Sequence, residues 1–304
     1  MHVKELIQRK QNLSNIQLKV NNEKNILLIN ILKLTQKLNF YVNNSFLNVQ
    51  ILEALAGKYN IKSNYIEDVS FVKKSEQLLK LKNRFFKENE LYIYLTEEQK
   101  YKTDSYSRYE NIMLEKIKNK NIDFITIGNR AKEFASNNKL SVLKHFESSS
   151  VDNLASILRQ LIRILFSENN YTRVHFVINS NKNHKNAFTI LPISEFDVHK
   201  LLHLDVQNEY DNVINEYKIY PNIENFLEMQ IMIFIENVIN ALITESSFYN
   251  AKNSLVTTNK KIKQLDEEIF KLGKKINRVK QEKQIEEIVL LTEKKKTIFH
   301  EGGK

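Results

Sequence analysis

The chain has 304 residues, 42% of them hydrophobic, and a formal net charge of +10. It has no cysteine, which excludes disulfides and thiolate metal sites, and its five glycines and two prolines are too few for an architecture of many short strands. The length suits about two structural units, and the basic excess admits nucleic acid, an acidic membrane surface or an acidic protein partner. Lys4, Arg9 and Lys10 interrupt any apolar leader. The most apolar window, Met229 to Ile243, is broken by Glu236, Asn237 and Asn240. It is expected to be too short to cross a bilayer, so a soluble chain is expected.

Residues 3 to about 57 read as one helix, with Val3, Leu6, Leu13, Ile16, Val20, Leu27, Ile31, Leu34, Leu38 and Tyr41 in a three/four rhythm. Gly57 is the expected C-cap. Such a helix is roughly 80 Å long, more than a compact domain needs, and suits a stalk. From Asn60 to Phe86 the pattern is mixed, a linker with a short helix before Leu91.

Leu91–Leu95 reads as a buried strand, 105–119 as a helix carrying Tyr109, Ile112, Met113, Leu114 and Ile117, and Asp123–Ile127 as a second strand closed by Gly128. A short helix over 129–136 precedes a third apolar run, Leu140–Phe146. Residues 151–167 follow as a helix, then strands at Val174–Ile178 and Phe188–Ile193. Strands alternating with helices imply a small α/β domain with a largely parallel sheet. His203 to Tyr220 is a polar connection, after which Pro221 starts a helix at or near its first position.

That last helix dominates the reading. Ile262, Leu265, Ile269, Leu272, Ile276 and Val279 alternate gaps of three and four, one narrow seam among Lys, Glu, Asp and Gln. A seam this narrow fits one or two partner helices. The pattern breaks at Lys283, and Ile285, Ile288, Val289, Leu290, Leu291 and Ile298 then form a broader apolar set. If both long helices leave one side of the α/β domain they run antiparallel, with the start of the first opposite roughly residues 275–280 of the second. The last ~20 residues then project alone and need an enclosing partner. Gly273, inside the seam, permits close approach of the first helix or a slight bend.

Several sharper signals are weak. His199 and His203 stand four apart without a third metal ligand and read as surface histidines. No glycine-rich phosphate loop follows a strand, and Gly128 alone does not make a nucleotide site. Asp104 beside Ser105 and Ser107 fits a loop better than a nucleophile. The lysine runs at 260–263 and 294–296 fit a solvated helix face. No catalytic, cofactor or metal site is expected.

The order of blocks resembles the gamma, or central-stalk, subunit of F-type ATP synthases over nearly the whole chain. Lys274-Lys275-Ile276-Asn277-Arg278 through Gln284-Ile285-Glu286-Glu287-Ile288-Val289 resembles that family's N-K-A-R-Q-x-x-I-T-x-E-L-x-E-I-V. Val256-Thr257-Thr258-Asn259 resembles its A-T-D-N, and Tyr220-Pro221 with Leu227, Ile233, Val238 and Glu245 the start of the same helix. Ile125-Thr126-Ile127-Gly128, the helix with Phe134, and Val177-Ile178-Asn179 leading to Leu191-Pro192-Ile193 are similar to its domain strands. Lys4-Glu5-Leu6 and Leu13-Ser14-Asn15-Ile16 resemble its K-E-I and V-x-N-T. The departures are Asn277-Arg278 for the family's Arg-Gln, Glu282 and Gln284 for its Thr and Glu, and Thr96-Glu97-Glu98-Gln99-Lys100 for a glycine-rich S-D-R-G-L-C-G turn.

The resemblance implies an antiparallel coiled coil of both chain ends around a Rossmann-like α/β domain. Its parts are a first coiled-coil helix (1–58), a linker (59–87), the α/β domain (88–200), a connection (201–220) and a second coiled-coil helix with a protruding tip (221–304). The expected seam is Leu13, Val20, Leu27 and Leu34 against Ile262, Leu265, Ile269, Leu272, Ile276 and Val279. The expected ring-contact tip is Asn277, Arg278, Glu282, Gln284, Ile285, Glu287, Ile288 and Val289. The implied role is a non-catalytic rotor shaft turned by alpha- and beta-like ATPase subunits in a hexameric ring, on the inner face of the cell membrane. An epsilon-like subunit and membrane or motility components are further candidate partners, and the departures point to a divergent complex of mollicute kind, such as a gliding motor. The alternatives are a basic coiled-coil nucleic-acid binder or scaffold, and an enzyme using the α/β domain.

Overall fold

A computed structural model describes residues 3–59, 63, 65–66, 89–98, 106–117, 121–168, 171–180, 187–196 and 218–301, with side chains described as far as Thr292 in the last helix. The elements in order are α1 (Val3–Tyr59), β1 (Asn89–Leu95), α2 (Ser107–Ile117), β2 (Asn121–Ile127), α3 (Asn129–Asn137), β3 (Ser141–Phe146), α4 (Leu154–Glu168), β4 (Tyr171–Val177), β5 (Phe188–Leu191) and α5 (Ile223–Glu301). A short 3-10 turn covers Ile193–Glu195. The chain divides into two compact units, residues 1–30 with 253–304, and residues 31–252.

In the unit of residues 31–252 the five strands form one sheet in the order β3-β2-β1-β4-β5. Strands β1 to β4 run parallel to one another, and β5 pairs antiparallel with β4. Three of the four pairings are parallel, so the sheet is largely parallel as expected, with one antiparallel strand at its edge.

Strand β1 lies at the centre and alternates sharply. Leu91, Ile93 and Leu95 face a core that also takes Leu154, Leu158 and Ile162 of α4. The same core holds Leu38, Val42, Leu52 and Leu55 of α1, and Phe234, Ile235, Val238 and Ile239 of α5. Tyr92 and Tyr94 face the other way, onto Tyr109 and Met113 of α2 and Ala131 and Phe134 of α3. Period-two alternation with helices on both faces explains why this strand is apolar almost throughout.

By length and composition α5 passes for a membrane-crossing helix. Its apolar stretch is nevertheless packed here: Leu227, Ile231, Phe234, Ile235, Val238, Ile239, Ala241 and Leu242 are all buried. Met229 and Ile233 of the same stretch are exposed, so burial in a protein core accounts for only part of that hydropathy.

One local expectation needs correcting and two are refined. Gly57 does not end α1, which continues to Tyr59. Pro221 precedes α5, and the cap is Asn222, whose Oδ1 accepts the Asn225 N–H at 2.8 Å. The Leu140–Phe146 run is an edge strand whose Val142 and Leu143 are exposed, with a register irregularity against β2. Such an irregularity is a common way to blunt an edge.

Candidate functional site

In the unit of residues 1–30 and 253–304, the two helical segments run antiparallel. Gln17 donates a hydrogen bond to Asp266, and Lys10 lies beside Gly273. Seven residues forward in α1 thus correspond to seven backward in α5. Extending that register sets Val3 level with about residue 280.

Between the segments, Leu6, Val20, Leu265 and Ile276 are buried, and Leu13, Leu27, Ile262, Ile269, Leu272 and Val279 half-buried. Leu34 is half-buried in the other unit, and Ile16 is exposed. Thr258 Oγ1 is buried with no hydrogen-bond partner among the described residues. The room beside Gly273 is ordinary contact distance, so close approach of α1 does not require a glycine there.

Beyond that paired stretch every described side chain from 281 to 292 is exposed. Ile285, Ile288, Val289, Leu290 and Leu291 are between 47% and 66% exposed. Residues 288 to 291 are consecutive, so at about 100° per residue they point all round the helix. A single facing helix covers one side, whereas this arrangement asks for apolar surface on several sides. Asn277, Gln284 and Glu287 are exposed, and Arg278 and Glu282 pair with each other at 2.9 Å. Leu290 and Leu291 complete the arc and were missing from the site expected by resemblance, because that pattern ends at Val289.

The unit of residues 31–252 has a cleft of about 570 Å3 at the carboxyl ends of β1 to β3, lined by Thr96, Glu97, Glu98, Tyr106, Arg130, Glu133, Glu147 and Ser247 among others. Ligands of open α/β sheets sit at such ends, but four carboxylates line this one and would repel a phosphate. Its arginine is committed: Arg130 makes a two-point pair with Glu110 at 2.8 and 2.9 Å, reaches Ser107 Oγ at 3.1 Å and covers the Tyr106 ring at 5.2 Å. Ser107 therefore serves an ion-pair network, while Asp104, Ser105, His199 and His203 lie outside the described residues. Among the described residues no group of three or more His, Cys, Asp or Glu could hold a metal.

Gly128 has a packing role. Its φ is +93°, and a Cβ there would stand 2.2 Å from the Thr96 carbonyl oxygen. Thr96 in turn accepts the Ala131 N–H on Oγ1 at 3.1 Å, capping α3 from a neighbouring strand. The residue after it, Glu97, accepts hydrogen bonds from Ser247 Oγ at 2.7 Å and from Asn250 Nδ2, both on α5. Where the resembled family has a glycine-rich turn, this chain has a carboxylate that clasps the long helix. Sequence spacing gave no sign of this.

The buried phenols are all shifted upward. Burial, reinforced by the charge of Glu90, raises Tyr92, and burial with Glu110 raises Tyr94, whose hydroxyl donates to Glu110 at 2.9 Å. Burial and the 2.5 Å hydrogen bond to Asp123 raise Tyr171. These are neutral donors at ordinary pH, unlike activated nucleophiles.

No protein-family profile matches the chain. Chains of the Euglena gracilis mitochondrial ATP synthase superpose on it with TM-scores of 0.43 (rotor, rotational state 1; 9% identity, 92% of this chain and 98% of that chain) and 0.46 (OSCP/F1/c-ring, rotational state 3; 10%, 99% and 96%). A chain of the Tetrahymena thermophila mitochondrial ATP synthase central stalk/c-ring gives 0.39 at 12% identity, over 75% of this chain and 98% of that one. Superpositions this loose carry no weight for fold or function. An uncharacterized protein of Ureaplasma parvum serovar 3, UU050, is 48% identical over 293 residues, 96% of this chain and 94% of its own length. At that identity and coverage the chain belongs to the same family as Ureaplasma parvum UU050.

Proposed function

We propose that this protein is the non-catalytic, gamma-like central shaft of an F-type-like rotary ATPase of mollicute kind. Alpha- and beta-like subunits in a hexameric ring carry out the ATP chemistry, and the shaft couples it to rotation. The observation that carries the reading is the single helix of residues 281–292, exposed throughout and apolar on every side at 288–291, extending past an antiparallel helix pair. A socket with apolar walls on several sides fits it, and the centre of a ring provides one. The sequence blocks around Asn277–Val289 support the same reading through their resemblance to the gamma family.

On this reading the mechanism is asymmetry. A shaft that presents a different face to each ring site favours a different conformation at each, and rotation passes those preferences round the ring. Exposed Ile285, Ile288 and Val289 are the bearing surface. Asn277, Gln284, Glu287 and the Arg278–Glu282 pair are its polar contacts. The complex sits on the inner face of the cell membrane, and a specialised load such as gliding is consistent with the departures in the tip.

The test is to replace Ile288 and Val289 together by glutamate in cells that make the protein. The expected result is a chain with unchanged melting that no longer co-purifies with a ring ATPase. Co-purification of the variant at wild-type yield, or a wild-type chain that brings down no ATPase, overturns the proposal.

A further inference from the structure

The pairing of α1 with α5 in the unit of residues 31–252 is apolar and repetitive. Leu38, Val42, Leu52 and Leu55 of α1 share a core with Leu227, Ile231, Phe234, Val238 and Leu242 of α5. Gaps of three and four recur along both helices, so sliding one past the other by a turn sets apolar residues against apolar residues again. Packing of this kind holds the helices together without fixing where one stops along the other. Asn48 of α1 breaks the monotony. It is only 6% exposed, and its carboxamide is engaged at both ends. Its Nδ2 donates to Gln230 Oε1 at 2.9 Å, and its Oδ1 accepts from Asn237 Nδ2 at 3.0 Å.

Gln230 and Asn237 stand about two turns apart on α5, so they bracket Asn48 from either side along the helix axis. After a slip of three or four residues, the seam positions flanking Asn48 are Leu227 and Phe234, or Phe234 and Ala241. All three are buried and apolar, and none bonds a carboxamide. The Asn48 amide would lose both partners while staying buried, a loss that apolar re-pairing does not return. The other polar groups buried nearby are indifferent to register. Ser45 Oγ donates to the Tyr41 carbonyl of its own helix at 2.7 Å, and Thr244 Oγ1 to the Asn240 carbonyl of its own at 2.7 Å.

We propose that Asn48, with Gln230 and Asn237, is an axial lock that selects one register of α1 along α5 from several that the apolar seam would accept. A buried amide at a seam position makes such a choice at a cost in stability. The lock belongs to the folded chain itself and does not depend on the ring reading. In a shaft its use is to stop applied force from being lost as creep of one helix past the other.

The test uses the purified full chain, which has no cysteine of its own. Asn39→Cys on α1 and Asn225→Cys on α5, both at exposed positions, carry a pair of spin labels. The two sites stand about 26 Å apart along the helix axes, on opposite sides of the lock, so a slide of one turn changes their separation by about 5 Å in pulsed electron paramagnetic resonance. With Asn48 in place the labelled chain should give one narrow distance. Asn48→Leu should add a second distance displaced by about 5 Å. The Asn48→Leu/Gln230→Leu/Asn237→Leu chain, which strands no amide, should do the same. A single unchanged distance in both variants overturns the proposal, and so do two distances with Asn48 in place. Loss of folding in both variants overturns it as well, because the amides would then hold the fold itself and not its register.

Discussion

Gly273 of α5 faces Lys10 of α1 with room to spare: a Cβ built on the glycine would stand 3.6 Å from the lysine Nζ, at ordinary contact distance. Its backbone is helical, so the glycine costs helix propensity and gains no packing. Gly273→Ala is therefore expected to stabilise the paired segments by about 1 kcal/mol, readable as a higher denaturant midpoint. A loss of stability would show that the glycine is needed for a bend.

Gly128 is the opposite case. With φ at +93° and the Thr96 carbonyl oxygen 2.2 Å from where a Cβ would sit, Gly128→Ala must distort the turn that joins β2 to α3. Strain and clash together should cost at least ~2 kcal/mol. Thermal melting of the variant checks this, and an unchanged midpoint would mean that the turn relaxes freely.

Glu97 holds three partners, Ser149, Ser247 and Asn250, on its carboxylate. Glu97→Ala leaves the Ser247 and Asn250 side chains without that acceptor and should cost about 1–3 kcal/mol. A double-mutant cycle with Ser247→Ala isolates the pair: the two losses should add to clearly more than the loss in the double variant. Simple additivity would show that the Glu97–Ser247 hydrogen bond contributes nothing.

The tyrosines set a response to alkali. Tyr92, Tyr94 and Tyr171 have folded-state values raised above the ordinary phenol value, chiefly by burial. Their preference for the fold is complete below about pH 10 and is lost as pH rises beyond it, because ionisation then favours the unfolded chain. The melting temperature should be level to about pH 9.5 and fall above about pH 10, with the phenolate absorbance of these residues appearing only as the fold melts. Tyr171→Phe should fall less steeply.

The helices and strands were legible because each announces itself over a few neighbouring residues. Leu91 to Leu95 is an apolar run because both faces of β1 are covered, and 3–59 is helical without a break because no proline interrupts it. The start of β4 was missed because Thr172 and Arg173 look like loop, although Arg173 is placed by its pairing with Glu195 at 3.0 Å. The reversal of β5 was also hidden, since strand direction is settled by β4 and leaves no mark on Phe188–Leu191 itself.

For the candidate sites the limit was separation in sequence. The rhythm from Ile262 to Val279 belongs to one helix and can be read without knowing its neighbour. The Glu97 clasp unites residues 150 and 153 positions apart, and no local pattern encodes that meeting. Asn222 was overlooked for a simpler reason: the proline beside it is a stronger signal than an asparagine.

The pairing of Gln17 with Asp266 spans 249 positions, and that distance has a cost during synthesis. At about 5–20 residues per second the ribosome needs roughly 12 to 50 s between making one strand of the pair and making the other. For that interval Leu6, Val20 and their neighbours are an apolar ribbon waiting for a mate. The cell must shelter it, by a chaperone or by docking on something already folded, and overexpression that outruns that shelter should send the nascent chain into inclusion bodies.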